Sequence, residues 1–209
     1  LDATGLPRQA QKIATNSQHP ALTGTPDGAI AVFRESEGRL WIARWADDGA
    51  LEWTALTATV GRQAGDRLDA LWAAPCLPSL CVGWNLVRQN GAAESWLASG
   101  TASAGSWNAP RPLEGLTWLT PSSGTGTDGP LYAAAQSGAS LALVTIRDGH
   151  VGDVETAIAG VALGGSPALI GFQDRWVLAW AEPETDYAIL RMSQRTMSAS
   201  LPPETTPGR

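Results

Sequence analysis

The chain has 209 residues, of which 44% are hydrophobic and 16% are charged, and its formal net charge is −6. This apolar content is sufficient for a folded core, and the lack of a basic run excludes a nucleic-acid binding surface. No apolar stretch approaches the roughly 20 residues that a membrane-spanning helix needs. The 23 glycines and 14 prolines predict a chain with many turns.

The segment 20–35 returns near the other end of the chain as the segment 167–182. Six of the sixteen aligned positions are identical without a gap, at an offset of 147 residues. The apolar pattern also recurs twice between them, with leucines in short apolar runs at steps of 48 to 50 residues. These leucines are Leu22, Leu71, Leu119 and Leu169. A repeat of about this length is typical of a stacked or circular array of similar units.

Short apolar runs between turn residues predict strands throughout the chain, and no segment keeps a helical period. In the first repeat the predicted strands are Ala29–Phe33, Leu40–Trp45 and Leu51–Leu56. The later repeats predict Ala70–Ala74, Leu80–Leu86, Glu94–Ser99, Ser106–Ala109, Leu131–Ala135, Leu141–Ile146, Val154–Ile158, Trp176–Ala181, Ala188–Met192 and Met197–Leu201.

Four strands in about 45 residues are typical of one blade of a β-propeller. The predicted fold is therefore all-β, a β-propeller of about four four-stranded blades that begin near Pro20, Ala70, Thr117 and Pro167. The alternative is part of a larger propeller, completed by residues outside this sequence or by a partner.

Three segments follow from this division of the chain. Residues 1–19 form an N-terminal arm, in which Gln11–Ala14 resembles an outer strand that closes the ring. Residues 20–201 form the propeller domain. Residues 202–209 form a proline-rich tail, which is not a central strand because proline cannot donate to a strand ladder.

Cys76 and Cys81 are the two cysteines of the chain and lie five positions apart. A disulfide between them predicts an oxidising, extracytoplasmic compartment, periplasmic or secreted, while the alternative is a pair of buried thiols. A metal site needs more ligands than this sequence offers around its two histidines, His19 and His150. We therefore expect neither a metal nor a cofactor.

Two motifs resemble those of the bacterial sialidase-like, or BNR-type, propeller repeats. The first is the cysteine-bracketed entry to a strand at 76–83. The second is a degenerate Asp-box at 47–53, which has Trp45 where the motif has Ser or Thr; Gly105-Ser106-Trp107 is a poorer copy. The resemblance implies a propeller, and it implies glycan chemistry only where the catalytic set is present.

Sialidases combine a tyrosine nucleophile, a carboxylic acid and an arginine cluster. The tyrosines here are Tyr132 and Tyr187, and Tyr187 follows Glu182 and precedes Arg191. One interpretation is a Tyr–Glu pair beside an arginine clamp. The other, which we prefer, is a charged hairpin turn with a tyrosine at its edge.

Aromatic residues at equivalent strand positions also have two interpretations. Phe33, Trp84 and Trp180 end the second strands of their repeats, and Glu35 and Glu182 follow two of them. One interpretation of these five residues and Tyr187 is a ring of lectin-like binding positions for sugars. The interpretation that we prefer places the aromatics in the core between blades and the two glutamates at exposed turns.

The sequence favours a non-catalytic, extracytoplasmic propeller, and not an enzyme, that binds protein partners as an accessory subunit of a larger, membrane-associated assembly. The expected interface includes the tail residues Pro202, Pro203, Glu204, Pro207 and Arg209. A glycan-binding lectin is the first alternative, and a sialidase-type glycoside hydrolase is the second.

Overall fold

The structure is a computed structural model that describes residues 18–25, 28–34, 40–46, 51–56, 65–101, 107–123, 130–172, 175–183 and 188–196. Within these ranges the chain forms fifteen β-strands and no helix. The strands are β1 (Gln18–Thr25), β2 (Gly28–Arg34), β3 (Leu40–Ala46), β4 (Leu51–Leu56), β5 (Arg67–Cys76), β6 (Ser79–Val87), β7 (Ala93–Gly100), β8 (Arg111–Pro112), β9 (Leu116–Ser123), β10 (Leu131–Ser137), β11 (Ser140–Arg147), β12 (His150–Ala159), β13 (Ala168–Phe172), β14 (Arg175–Pro183) and β15 (Ala188–Thr196).

The strands form four successive antiparallel meanders, here called units one to four. Unit one contains β1–β4, unit two β5–β8, unit three β9–β12 and unit four β13–β15. The first strands β9 and β13 pair in parallel and join units three and four into one seven-stranded sheet. The prediction of an all-β β-propeller is confirmed, and the number of blades in the complete ring stays a prediction.

The sequence echo corresponds to the same hairpin in units one and four. Leu22 pairs with Ala31, and Leu169 pairs with Leu178, so both members of the pair are shifted by 147 positions. The two positions nevertheless differ in burial, because the Leu22 side chain is 73% exposed and the Leu169 side chain is 3% exposed. The repeat therefore fixes the strand register but does not fix the packing of its leucine.

Three apolar cores lie between successive units. The core between units one and two contains Ile30, Val32 and Trp84. The core between units two and three contains Leu97 and Leu119 among its buried residues. The core between units three and four consists mainly of Trp118, Leu141, Leu143, Leu163, Leu169, Trp176, Leu178 and Trp180. Each sheet of units two and three is thus apolar on both faces, which explains their continuous hydrophobic strands.

One glycine permits close packing within unit two. Gly83 on β6 pairs with Trp72 on β5, and the Trp72 indole occupies the space where a Cβ of residue 83 would lie. The indole Nε1 then donates to the carbonyl of Leu119 at 3.2 Å, in unit three. The small residue thus lets a large one pack flat and connect two units.

The disulfide between Cys76 and Cys81 is confirmed, with a Cα–Cα distance of 5.7 Å across the β5–β6 hairpin. The same turn contacts unit three, because the amide of Asp148 donates to the carbonyl of Cys76 at 2.8 Å and Ser79 donates to the Asp148 carboxylate. Both cysteines are fully buried.

The last strand of unit two differs from the predicted one. Trp107 forms only an isolated bridge with Gly100, and the strand that follows is Arg111–Pro112. The proline at the end of this strand limits its pairing, as expected at a sheet edge. The predicted strands 11–14 and 197–201 lie outside the described residues.

Candidate active site at the bulged ends of the first strands

The first strands of units one, two and three each contain a β-bulge near their N-terminal end. The bulges lie between Gln18 and Ala21 in β1, between Leu68 and Ala70 in β5, and opposite the interval Ala134–Gln136 in β9. First strands of neighbouring units contact one another, so they line the centre of the array. Bulges are common beside active sites because they redirect a side chain away from the regular ladder.

Asp69 is the extra residue of the bulge in β5. Leu68 pairs with Leu86 and Ala70 pairs with Asn85, so Asp69 has no opposite residue. Its side chain is 21% exposed and lies 3.4 Å from the guanidinium of Arg67. Its other oxygen accepts from the hydroxyl of Ser166 at 3.3 Å. Ser166 lies two residues before β13, so this carboxylate connects unit two to the start of unit four.

A buried network of hydrogen bonds holds Ser166, the partner of Asp69. The side-chain amide of Asn85, which is fully buried, donates to Ser166 Oγ at 2.9 Å and to the carbonyl of Leu119 at 3.1 Å. Its carbonyl oxygen accepts from Ser95 Oγ at 2.7 Å, and Ser95 Oγ in turn accepts from the Leu119 amide at 2.9 Å. The network satisfies the backbone of the β9 bulge with side chains of unit two. Such a fully bonded buried network rigidifies its surroundings.

Two further acids lie at the same end of unit two, on either side of one cation. Arg88 Nε and one terminal nitrogen donate to the two Glu94 oxygens at 2.9 and 2.5 Å, and Arg88 also donates to Asp66, which is 4% exposed. Glu94 additionally accepts from the indole of Trp96 at 3.3 Å. The Trp96 ring stacks on that of Trp84 at a centroid distance of 6.4 Å.

These hydrogen bonds shift the pKa values of Glu94 and Arg88. Hydrogen bonds from the Arg88 guanidinium lower the pKa of Glu94, with a smaller contribution in the same direction from the Trp96 indole. The bonds to Glu94 and Asp66 raise the pKa of Arg88. Glu94 is therefore a stable anion at neutral pH and a poor proton donor.

Unit four contains a similar tryptophan–glutamate pair. Trp180 Nε1 donates to Glu182 at 3.0 Å, and Arg191 Nε donates to the other Glu182 oxygen at 3.3 Å. The indole bond, followed by the arginine bond, lowers the pKa of Glu182. An acid held by one tryptophan and one arginine thus occurs in two units, at the same end of the array.

The candidate residues predicted from the sequence do not form one common site among the described residues. Trp84 and Trp180 are 2% and 6% exposed and pack in the cores between units, so neither ring faces solvent. Tyr132 packs against Trp176 at a centroid distance of 4.7 Å, in the core between units three and four. Glu35, Tyr187, the Phe33 side chain and the tail residues Pro202, Pro203, Glu204, Pro207 and Arg209 lie outside what the structure describes. Glu182 is partly exposed, beside Arg191.

The residues that form this end were not identified from the sequence. Asp66 and Asp69 lie in a charged segment where β5 begins, Asn85 lies in a buried strand, and Ser166 is 81 positions further along the chain than Asn85. One signal was present, since a fully polar Asn within a run that is apolar on both sides requires a buried partner. Among the described residues there is no cluster of three or more His, Cys, Asp or Glu side chains that would hold a metal ion.

A groove of about 640 Å³ lies elsewhere, between the outer strands of units two and three. Its lining includes Arg111, Glu114, His150 and Val154. It contains a single acid and does not include Asp69. The His150 ring lies 2.9 Å from the carbonyl of Asp148 and is exposed.

Among the comparisons with known proteins, only the comparison of structures finds a match. No family model matches the chain, and no curated protein matches it. A solved structure described as a GH43 endo-arabinanase from Bacillus licheniformis is similar, with a TM-score of 0.50 and 11% identity over 90% of this chain and 74% of that one. The structure of that enzyme is a β-propeller, which supports the propeller fold of this chain.

This comparison corrects two expectations. The BNR-type resemblance was right about the propeller, but the similar structure belongs to a different glycoside hydrolase family. The expectation of a non-catalytic accessory subunit, and not an enzyme, is wrong, because the similar propeller is an enzyme. That expectation depended on the lack of catalytic spacing along the sequence. The fold instead brings acidic side chains from separate segments to one end of the array, among them Asp69, Glu94 and Glu182.

Proposed function

We propose that the chain is a glycoside hydrolase of the β-propeller type, in which Asp69 is the reactive carboxylate. One observation carries the proposal: the bulge in β5 takes Asp69 out of the strand ladder and places it, 21% exposed, at the centre between units two and four. Ser166 and Arg67 orient its two oxygens. The similarity to an endo-arabinanase supports the same conclusion at the level of the fold.

The chemistry requires a carboxylate that acts on the anomeric carbon or on the attacking water, and an acid that protonates the leaving oxygen. Asp69 suits the first role because each of its oxygens has a partner and the group remains 21% exposed. Glu94 and Glu182 are unsuitable as acids at neutral pH, because their pKa values are lowered. We assign them to holding Arg88 and Arg191 in place.

The substrate class is a glycan, and arabinan is the first candidate because the similar structure is that of an endo-arabinanase. The experiment measures release of reducing ends from linear arabinan and from a panel of other plant and microbial polysaccharides. Asp69→Asn preserves the size of the side chain and removes its negative charge. We expect the variant to lose at least about 100-fold in kcat/KM, the range for removal of a positioned acid or base.

The matched control is Asp153→Asn on β12, where the side chain is exposed and the strand is the edge of its sheet, three strands from β9. We expect this variant to retain full activity, and both variants to keep the wild-type circular dichroism and Tm. The proposal is contradicted if the wild type hydrolyses nothing in the panel, or if Asp69→Asn keeps wild-type activity.

Glycan binding without hydrolysis is the second candidate, and Trp96 favours it. Its ring is partly exposed, stacks on the buried Trp84 and donates to Glu94, so an aromatic face and an acid lie together. Such a pair suits stacking on a sugar. In this case Trp96→Ala abolishes binding to an immobilised glycan, while Asp69→Asn leaves binding intact and no product forms with either chain.

We further propose an extracytoplasmic location, periplasmic or secreted. The Cys76–Cys81 disulfide is compatible with it, and within the described residues no helix is long and apolar enough to span a membrane. Disulfides persist in oxidising compartments. Mass spectrometry of thiol-blocked protein from the native compartment would show two oxidised cysteines, and two free thiols there would contradict this location.

A further inference from the structure

The outer face of unit four, which looks away from unit three, is apolar and exposed. It contains Ile170, Leu190 and Met192, which are 45%, 78% and 76% exposed. The strand register aligns Met192 with Ala179 and Ala168, and Leu190 with Ala181. A contiguous patch of large, exposed apolar side chains is typical of an interaction surface, whereas single apolar residues scattered over a surface are common and need no partner.

The internal repeat indicates which kind of surface packs against this face. Val177 and Ala179 of unit four are shifted by 147 positions from Ile30 and Val32 of unit one. Ile30 and Val32 are fully buried in the core against unit two. The exposed face of unit four is therefore equivalent to a surface that, in unit one, packs against the following unit.

Unit one presents the complementary surface. Its Leu22 is 73% exposed, whereas the equivalent Leu169 in unit four is 3% exposed against unit three. The Leu22 face is thus equivalent to a surface that packs against the preceding unit. Among the described residues, apolar cores join units one to two, two to three and three to four, and none joins four to one.

We propose that a second copy of this chain covers these faces, with unit one of one copy packed on unit four of the other. Each copy carries both faces, so the contact repeats the packing that the chain already uses three times between its own units. Two copies related in this head-to-tail way close each other's openings, or extend into a longer array if the rotation does not close.

The test is sedimentation of the purified wild-type chain at concentrations up to about 100 µM, where weak association becomes visible. We expect self-association, and a monomer across this range overturns the proposal. The double variant Leu190→Asp/Met192→Asp places charges in the contact and is expected to weaken association at least about 30-fold. Val154→Asp is the matched control, since Val154 is 46% exposed on β12 of unit three, away from both faces.

A mixing experiment distinguishes head-to-tail packing from contact between two identical faces. Leu22→Asp damages only the unit-one face and should also produce a monomer. Mixed with the double variant, it retains one intact face of each kind, so a one-to-one complex should form and should not grow further. Association of Leu22→Asp at the wild-type level, or no complex in the mixture, overturns the proposal.

Discussion

At the scale of single residues, the buried side-chain amide of Asn85 makes three hydrogen bonds beside the candidate site. It contacts Ser166, Leu119 and Ser95, which belong to three different units or their connections. An amide is required because the group donates twice and accepts once. A residue of the same shape without the two N–H groups would leave both acceptors without this donor.

Asn85→Asp tests this requirement with almost no change in volume. The variant loses both donors and introduces an ionisable group where exposure is zero, so we expect the free energy of unfolding to fall by at least about 2 kcal/mol. Urea unfolding followed by tryptophan fluorescence measures the change. Asn90→Asp, in the exposed turn before β7, is the control and should be nearly neutral. Equal stability of the two variants would contradict a structural role for the network.

The pair Glu94–Arg88 predicts a dependence of stability on pH. Because the Arg88 guanidinium lowers the pKa of Glu94 in the folded state, its stabilisation is complete above the unfolded pKa of about 4.3 and is lost as the pH falls through the folded value. The folded state therefore loses this stabilisation only at acid pH, below about pH 4.3. Partial exposure of Glu94 reduces its size.

Glu94→Gln should remove this contribution and flatten the acid limb of the stability profile. The urea midpoint measured from pH 7 down to about pH 3 would fall less steeply for the variant than for the wild type. Glu114→Gln, at an exposed turn before β9, is the control for the loss of an acid elsewhere. A variant profile parallel to the wild type would show that the Arg88 contact does not persist in solution.

At the scale of elements, the β5–β6 pair shows how one small residue determines packing. Gly83 and Gly24 are both strand glycines, but a Cβ at residue 83 would collide with Trp72, while a Cβ at residue 24 would meet nothing within 4 Å. The two positions thus give opposite predictions for the same substitution.

Gly83→Ala should destabilise the chain by about 1–3 kcal/mol, because Trp72 must move and its bond to Leu119 is strained. Gly24→Ala should be neutral or slightly stabilising, since alanine restricts the unfolded chain and fits the open site. Differential scanning calorimetry of both variants checks the prediction. A Gly83→Ala chain as stable as wild type would place the Trp72 ring elsewhere.

Much of the element structure was predictable from the sequence, for physical reasons. Apolar runs between turn residues located the strands, and the echo at 147 residues predicted the shared register of Leu22 and Leu169. The bulge at Asp69 was not predictable, because an inserted residue is visible only once the partner strand is known. The contact between Asp69 and Ser166 depends on the arrangement of units, which no local pattern encodes.

At the scale of the whole molecule, the units differ in how many apolar cores they share. Among the described residues, units two and three share a core with a neighbouring unit on both sides, whereas units one and four each share a core on one side. In arrays of this kind local stability follows the number of neighbouring interfaces. The middle strands β6 and β14 offer a fair comparison, because each is hydrogen-bonded to a strand on either side.

Hydrogen exchange at low protein concentration should therefore show faster exchange in β14 than in β6. The reason is local opening of unit four, which loses only the core shared with unit three. Raising the concentration should slow exchange in β14 if a second copy covers the face that includes Leu190. Uniform protection of both strands at low concentration would indicate a single cooperative unit and contradict this order.

The bulge at Asp69 also has an evolutionary consequence. Because Leu68 and Ala70 already pair with the adjacent residues Leu86 and Asn85, Asp69 is one residue more than the ladder needs. A single-codon deletion would remove the carboxylate without turning any neighbouring side chain to the other face of the sheet, and a single-codon insertion would restore it. A descendant lineage could thus lose this carboxylate, and regain it, at almost no cost to the framework.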